Sequence, residues 1–407
     1  MTRLDRLTER LDLKEFQLRA LLEITKAINS NVGRRDLLQL YVDIMTNELG
    51  ITRLMLFEHG EQWRCARAVG ADAAAQAIDA GALIGRFRDI QFIGAELEGA
   101  VHGFDIAVPV HHLEKPLALL LIGDIDDSEQ RMSPTVKHLN FIQTLTNLIA
   151  VALENKRLAQ QALLQERDKR ELELAAEMQS MLIPGTLPND ARLKAAAWYL
   201  PHRQVGGDYY DLIRIGEHEV LVCVADVSGK GMAAALFMAF TRSTIRASAM
   251  LTTSPASGIA HANQLICADA ARGFFVTLFY ALLNTTTGEL TYVNAGHNPP
   301  LLYRIAEDRL TRLMPTGMAL GADESARYRQ ETLHLNPGDF MLLYTDGVTD
   351  AMAAREQYGM DRLQQVVMEQ RRRSAAGMVQ ALHRSVEAFS GAAALFDDLT
   401  IVMVKCL

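Results

Sequence analysis

Four short acidic segments recur in the second half of this 407-residue chain, and each lies next to an apolar run. They are GGDYYD at 206–211, ADVSGKG at 225–231, YTDGVTDA at 344–351 and FDDLT at 396–400. The runs VLVCVA and FMLLYT have the composition of buried strands, so Asp226 and Asp346 are expected at strand ends. A single Asp-Gly pair is typical of a tight turn. Four acidic segments in such positions indicate a functional site.

The chemistry that these segments predict is metal binding. Several carboxylates in one cleft repel one another, and burial raises their pKa values, so a cation is needed to stabilise the charged forms. The segments offer oxygen donors without an accompanying set of His or Cys residues. Oxygen-only ligand sets favour the hard ions Mg²⁺ and Mn²⁺ over Zn²⁺. The sequence therefore predicts a site for Mn²⁺ or Mg²⁺.

Composition limits the class of protein. With 49% hydrophobic and 22% charged residues, the chain is typical of a globular protein of two or three domains. Its longest apolar runs fall short of the roughly 18 residues of a membrane-spanning helix, so no membrane partner is expected. A formal net charge of -8 argues against a nucleic-acid partner. The start of the sequence lacks a secretory signal, and its four cysteines are scattered, so a cytoplasmic location is expected.

The first third of the chain has the order helix, helix, several strands, helix. Apolar residues recur at helical spacing across 18–28 and 37–45, strand-like runs follow at 53–57, 62–68, 105–110 and 117–122, and a long helical pattern begins near residue 133. With phrases such as LLEITKAINSNVGRRDLLQLYVDIM, residues 14–154 resemble a GAF domain, a sensor fold with a central antiparallel sheet. The resemblance implies either a ligand-binding sensor or a packing and dimerisation module without a ligand.

A 3.5-residue repeat links the two halves of the chain. It runs through Leu148, Val151, Asn155, Leu158, Ala162, Gln165, Lys169, Leu172, Ala176, Gln179 and Ile183. Such a repeat predicts a linker helix over 155–183 that pairs in a parallel coiled coil, whose polar positions weaken the seam and fix its register. The alternative is one solvated helix without a partner. Pro184 and Pro188 then end the helix. The predicted domains are therefore 1–154, 155–183 and 184–407.

The last part of the chain has an α+β pattern without the regular alternation of a doubly wound sheet. Strands are predicted at 193–199, 209–213, 220–225, 274–283, 290–294, 340–344 and 399–404. Helices are predicted around 232–250, 256–271, 360–370 and 378–389. These elements are sufficient for two packed sheets with helices on their outer faces.

Seven motifs in this part occur in the order of a known family. They are AAEMQSMLIPGTLP, VGGDYYDL, VADVSGKGMAAAL, TLFYALLN, YVNAGHNPPLL, LLYTDGVTDA and DDLTIVMV. Over residues 175–407 the chain resembles the PPM-type protein serine/threonine phosphatases, specifically the stage II sporulation E-like group that regulates sigma factors. The resemblance implies an αββα sandwich with two metal ions, Mn²⁺ or Mg²⁺, in a cleft at one end of the sheets.

The resemblance also implies roles for individual residues. Asp226 would bridge both ions, with the carbonyl of Val227 on one of them, and Asp346 and Asp397 would hold the other. Asp208 would complete the site, directly or through a water molecule. Either Asp397 or Asp398 could be the ligand of the last motif, and Asp397 is chosen here. Gly206 and Gly207 would let the backbone turn closely beside Asp208.

The chain departs from eukaryotic family members at two positions. Val227 and Ser228 follow Asp226 where those relatives carry a candidate acid, and the counterpart of the arginine that holds their phosphate is left unassigned. Arg203 and Lys230 are candidate phosphate contacts, unless they are only solvated charges. His297 in NAGHNPP is expected to order a loop rather than to act as an acid.

The predicted function is a sensor-regulated, metal-dependent phosphatase that dephosphorylates an anti-sigma-factor antagonist. The chain would form a homodimer through the linker helix and the GAF domain. The alternative is a catalytically inactive sensor or scaffold that binds the same partner. GGDYYD superficially resembles the diguanylate cyclase signature, but it lacks the Glu-Phe continuation, and GKG at 229–231 lacks the spacing of a P-loop.

Overall fold

The computed structural model describes residues 3–71, 78–93, 101, 103–112, 115–123, 134–252, 254–269, 273–391 and 396–407. The chain divides into two compact units, Met1–Arg167 and Asp168–Leu407. Within the described ranges, every helix is too short or too polar to cross a lipid bilayer.

The first unit is built on an antiparallel sheet with the strand order β2-β1-β5-β4-β3. Its strands are β1 (Arg53–His59), β2 (Trp63–Val69), β3 (Gln91–Phe92), β4 (Ile106–His112) and β5 (Lys115–Gly123). Its helices are α1 (Arg3–Asn29), α2 (Arg34–Asp43) with a π-helical turn (Ile44–Glu48), α3 (Ala80–Ile84) and the first part of α4 (Pro134–Ser180).

Both faces of this sheet are covered at its centre, because strands β1, β4 and β5 carry buried residues on both sides. Alternate residues of β1, such as Leu54 and Leu56, pack with α2 and α4, whereas Met55 and Phe57 pack with α3. The predicted helices and strands of this region are present. Ser133, near which the long helical pattern begins, lies outside the described residues. The short elements α3 and β3 were not predicted.

The second unit contains two five-stranded antiparallel sheets, ordered β13-β10-β9-β8-β7 and β12-β11-β14-β17-β6, and the small ribbon β15-β16. The strands are β6 (Leu193–Leu200), β7 (Tyr209–Ile215), β8 (Glu219–Val227), β9 (Val276–Asn284), β10 (Glu289–Ala295), β11 (Leu301–Arg304), β12 (Arg309–Arg312), β13 (Glu331–His334), β14 (Phe340–Tyr344), β15 (Met352–Ala353), β16 (Glu356–Gln357) and β17 (Leu399–Cys406). The helices are α5 (Met232–Leu251), α6 (Pro255–Asp269), α7 (Asp346–Thr349), α8 (Gly359–Gln370) and α9 (Ala375–Ser390).

The two sheets pack face to face between two helical layers. In β8, Val222 and Val224 point into the core between the sheets, whereas Leu221 and Cys223 lie under α5 and α6. A third core joins β14 and β17 to α8 and α9. Strand β14 is buried on both faces, which explains its continuous apolar sequence. The αββα architecture predicted for this part of the chain is confirmed.

Two local features differ from the prediction. Helix α4 is continuous from Pro134 and ends at Ser180, three residues before the predicted end of the linker helix at residue 183. Ile183 instead packs against the cores of the sandwich, which shows that its apolar side chain is part of the second unit. The short strands β11, β12 and β13 were not predicted.

Candidate metal centre

The four acidic motifs meet at one end of the two sheets. Asp208 directly precedes β7 and Asp226 is near the end of β8, and these strands are antiparallel neighbours with Tyr209 opposite Ala225. Asp346 follows β14, and residues 397–398 precede β17, its antiparallel neighbour. Neighbouring antiparallel strands end and begin at the same edge, so the sheet topology brings each pair of motifs together.

Asp208 lies in the seam between the two sheets. Its Oδ2 atom accepts hydrogen bonds from Thr345 Oγ1 at 2.7 Å and from Thr400 Oγ1 at 2.5 Å. Burial raises the pKa of the Asp208 carboxyl well above its ordinary value, and the charges of Asp226 and Asp398 raise it further. The two threonines were not singled out from the sequence, although each lies beside an acidic motif.

Asp226 is the electrostatic centre of the site. Burial raises the pKa of its carboxyl to about 7, and the charges of Asp346, Asp397 and Asp398 add to this effect, whereas Lys230 lowers it. The pKa of Asp346 is raised in turn by burial and then by Asp397. Burial and neighbouring carboxylates therefore make Asp226 and Asp346 harder to ionise than isolated aspartates.

The two aspartates of the last motif have different surroundings. The Asp398 carboxylate is buried and accepts hydrogen bonds from the backbone amides of His202 at 2.7 Å and Gly207 at 2.6 Å. Asp397 is partly exposed, and its Oδ2 atom lies 2.7 Å from Lys230 Nζ. The Asp397 Oδ1 atom accepts a hydrogen bond from the Asp398 amide at 3.0 Å, so both carboxylates have partners and the two residues differ mainly in their exposure.

The GGD segment approaches its neighbours too closely for a larger residue. A Cβ atom on Gly206 would lie 2.5 Å from both Asp398 Oδ2 and the Tyr199 hydroxyl. The same segment contacts the last turn of α4, because the Gln179 side chain bonds both backbone polar groups of Gly206. Gln179 was interpreted from the sequence as a polar residue of a coiled-coil seam, but in the structure it is buried against this loop.

Arg203 and His297, the remaining candidate residues, have different surroundings. Arg203 is exposed and lines a small recess with Lys230 and Asp397. His297 is buried, with its amide bonded to Asn294 Oδ1 at 2.8 Å and its Nδ1 at 2.9 Å from Thr277 Oγ1. Burial lowers the pKa of His297 to about 4, so the ring is neutral at neutral pH. That His297 orders its loop rather than acting as an acid stays a prediction.

Asp211 and Asp350 of the acidic motifs are outside the centre. Asp211 is buried and forms a bidentate ion pair with Arg246 of α5, at 2.7 and 3.0 Å, which attaches that helix to β7. Asp350 is exposed at the end of the short helix α7.

The donor types present suit hard divalent cations. The predicted donors are carboxylate oxygens with the carbonyl of Val227, and burial and neighbouring carboxylates raise the pKa values of Asp226 and Asp346, an effect that a bound cation would offset. In the part of the chain that the structure describes, no three such acidic, His or Cys side chains are yet close enough to enclose an ion. Asp208 is turned towards the two threonines, and Asp397 is turned towards Lys230.

Comparison with known proteins gives consistent relatives for this region. Residues 216–407 match the family model described as "Stage II sporulation protein E (SpoIIE)". The chain is 29% identical over 242 residues to phosphoserine phosphatase RsbU of Bacillus subtilis, covering 60% of this chain and 72% of that protein. It is 28% identical over 190 residues to phosphoserine phosphatase RsbP of the same organism, covering 46% of this chain and 47% of RsbP.

A solved structure agrees with the fold. The SiaA-PP2C domain of Pseudomonas aeruginosa superimposes with a TM-score of 0.54 at 20% identity, covering 60% of this chain and 99% of that domain. At this identity the comparison concerns the fold alone. It agrees with the two-sheet sandwich on which the acidic motifs lie.

Proposed function

We propose, from the match of residues 216–407 to the stage II sporulation protein E family model, that the chain is a metal-dependent protein phosphatase acting on phosphoserine or phosphothreonine. The observation that carries the proposal is the position of Asp226, whose pKa responds to three other carboxylates from two separate motifs. Two relatives, RsbU and RsbP, are named phosphoserine phosphatases. The proposal extends that activity to this chain.

The proposed ligands are the carboxylates of Asp208, Asp226, Asp346 and Asp397 and the carbonyl of Val227. They would hold two ions, either Mn²⁺ or Mg²⁺. The choice of Asp397 over Asp398 is supported by its greater exposure, since the Asp398 carboxylate is buried. When bound, the ions would supply positive charge to the phosphoryl oxygens and lower the pKa of an attacking water molecule.

The contribution of the protein is to position these charges. Thr345 and Thr400 fix one oxygen of Asp208. Asp398 accepts a hydrogen bond from the amide of Gly207 and so fixes the backbone just before Asp208. Hydrolysis consumes one water molecule, breaks the bond between phosphorus and the serine or threonine oxygen, and releases inorganic phosphate and the free hydroxyl. Preorganised groups of this kind act by matching the charge that develops in the transition state.

The substrate that we propose is a phosphorylated anti-sigma-factor antagonist of a partner-switching pathway. This is what the resemblance to sigma-factor regulatory phosphatases implies, and the relatedness to RsbU supports it. The four cysteines, Cys65, Cys223, Cys267 and Cys406, are unpaired, which supports a reducing, cytoplasmic location.

The proposed regulation runs from a GAF-type sensor (1–154) through the linker helix (155–183) to the phosphatase domain (184–407). The independent sheet and two-sided core of the first unit support a separate sensor module. Val151 and Leu158, two apolar positions of the 3.5-residue repeat, are exposed on α4, which supports a homodimer that pairs through this helix.

The proposal is tested by phosphate release from a phosphorylated antagonist. The purified full-length chain is incubated with that protein and Mn²⁺ or Mg²⁺, with an EDTA-treated sample as control. Metal-dependent release supports the phosphatase. If the chain binds the phosphorylated antagonist but releases no phosphate with either ion, it is the inactive sensor or scaffold instead.

A further inference from the structure

Lys230 provides a positive charge within the candidate metal centre. Its Nζ atom is 2.7 Å from Asp397 Oδ2, and it also donates to the backbone carbonyl of Phe396. Asp397 and Phe396 belong to the last acidic motif, at 396–400, whereas Lys230 belongs to the second motif, at 225–231. The ammonium thus joins two of the four motifs at the point where the proposed ion ligands lie.

This ion pair is built so that it can open. The side chain of Lys230 is 45% exposed and that of Asp397 is 35% exposed, so water can replace each partner. Exposed pairs between a lysine and a carboxylate contribute little net stability, and a lysine has a long, flexible stem. Gly229 and Gly231 flank Lys230 and have φ angles of +95° and +77°. Glycine adopts such positive φ angles without strain, so this loop conformation depends on the two glycines.

We propose that Lys230 alternates between two anions: the Asp397 carboxylate when the centre holds no metal, and the phosphoryl group of the substrate when a metal ion has taken Asp397. This inference rests on the proposed phosphatase function. An oxygen that binds an ammonium cannot simultaneously offer the same lone pairs to an ion, so the two cations compete for Asp397. The displaced ammonium then stays beside the cleft, in the recess that Arg203 also lines, with its charge free for a phosphate.

The inference makes opposite predictions for metal and for phosphate binding. Removing the ammonium in Lys230→Gln removes the competitor of the metal ion and should tighten Mn²⁺ binding by up to about fivefold, the range expected for an exposed ion pair. The same substitution removes a phosphate contact, so inhibition by inorganic phosphate should weaken. A residue with a purely structural role would be expected to impair both.

The experiment measures Mn²⁺ affinity by isothermal titration calorimetry and the inhibition constant of inorganic phosphate in the phosphate-release assay. The full-length wild type is compared with Lys230→Gln and with Lys230→Arg, which keeps the charge and should bind Mn²⁺ no more tightly than wild type. Lys194→Gln, at the exposed far end of β6, is the matched control and should change neither quantity.

The outcomes separate this inference from the proposed function. Tighter Mn²⁺ binding together with weaker phosphate inhibition in Lys230→Gln supports the exchange. Unchanged or weaker Mn²⁺ binding in that variant overturns it, as does unchanged phosphate inhibition. If instead the wild type neither binds Mn²⁺ nor releases phosphate, the phosphatase proposal itself fails.

Discussion

The side-chain amide of Gln179 bonds both backbone polar groups of Gly206: its Nε2 donates to the Gly206 carbonyl at 2.7 Å, and its Oε1 accepts from the Gly206 amide at 3.0 Å. Gln179 is 7% exposed and lies in the last turn of α4. The next residue, Gly207, donates to Asp398, and Asp208 follows directly. The end of the helix is therefore attached to the loop that positions a proposed metal ligand.

We expect Gln179→Ala to loosen this loop. The substitution leaves the buried amide and carbonyl of Gly206 without partners, which costs about 1–3 kcal/mol of unfolding free energy for a buried group. The Mn²⁺ concentration for half-maximal phosphate release should rise. Chemical unfolding of the metal-free protein and a Mn²⁺ titration of activity measure the two effects.

Gln165→Ala is the matched control for this prediction. Gln165 occupies another heptad position of the same helix but is exposed. It should leave both quantities unchanged. If Gln179→Ala behaves like this control, the contact with Gly206 does not couple the helix to the metal centre.

Alanine substitutions at Asp397 and Asp398 should have different effects. Asp398→Ala removes the acceptor for the amides of His202 and Gly207, so it should lower the unfolding free energy by about 2–3 kcal/mol. Asp397→Ala removes a partly exposed carboxylate, so it should leave the metal-free stability nearly unchanged and weaken Mn²⁺ binding. Chemical unfolding in EDTA and calorimetric Mn²⁺ titration distinguish them. The reverse pattern would identify Asp398 as the ligand.

Asp226→Asn should abolish activity without unfolding the protein. Loss of this carboxylate should reduce phosphate release by at least about 100-fold, the scale seen when a group that stabilises a transition state is removed. Metal-free stability at pH 8 should be unchanged or higher, because the substitution relieves repulsion with Asp346 and Asp397. Asp361→Asn on the exposed face of α8 is the control. Activity of Asp226→Asn within tenfold of wild type would contradict the assignment of this residue.

Much of the fold could be predicted because its longer elements carry a local signal. Strand β14 was predicted at 340–344 and is found there, since its apolar run is bounded by turn residues on both sides. Strand β12, with the sequence RLTR, has no such run. It is a strand because it pairs with β11 across a four-residue turn, and this pairing does not require an apolar run in β12 itself.

The candidate site likewise contains residues that could be predicted from the local sequence and contacts that could not. The acidic residues could be found because each follows or precedes a predicted strand. The bonds from Thr345 and Thr400 to Asp208 could not be found, because they join residues 137 and 192 positions apart. Likewise, the heptad spacing predicted where Gln179 lies on the helix but not that its partner would be a glycine 27 positions later.

Lowering the pH should destabilise the fold through the buried ring of His297. Its pKa is lowered by burial from the ordinary 6.5 to about 4, so between these values the unfolded chain binds a proton that the folded chain does not. The unfolding free energy should therefore fall as the pH is lowered from about 6.5 to about 4, by up to about 3 kcal/mol from this residue, with no further loss below that. The wild type should thus lose more stability than His297→Asn across this window, measured by guanidinium unfolding of the metal-free protein at several pH values. Exposed His334→Asn should keep the wild-type slope, and an equal slope for His297→Asn would show that His297 does not cause the loss.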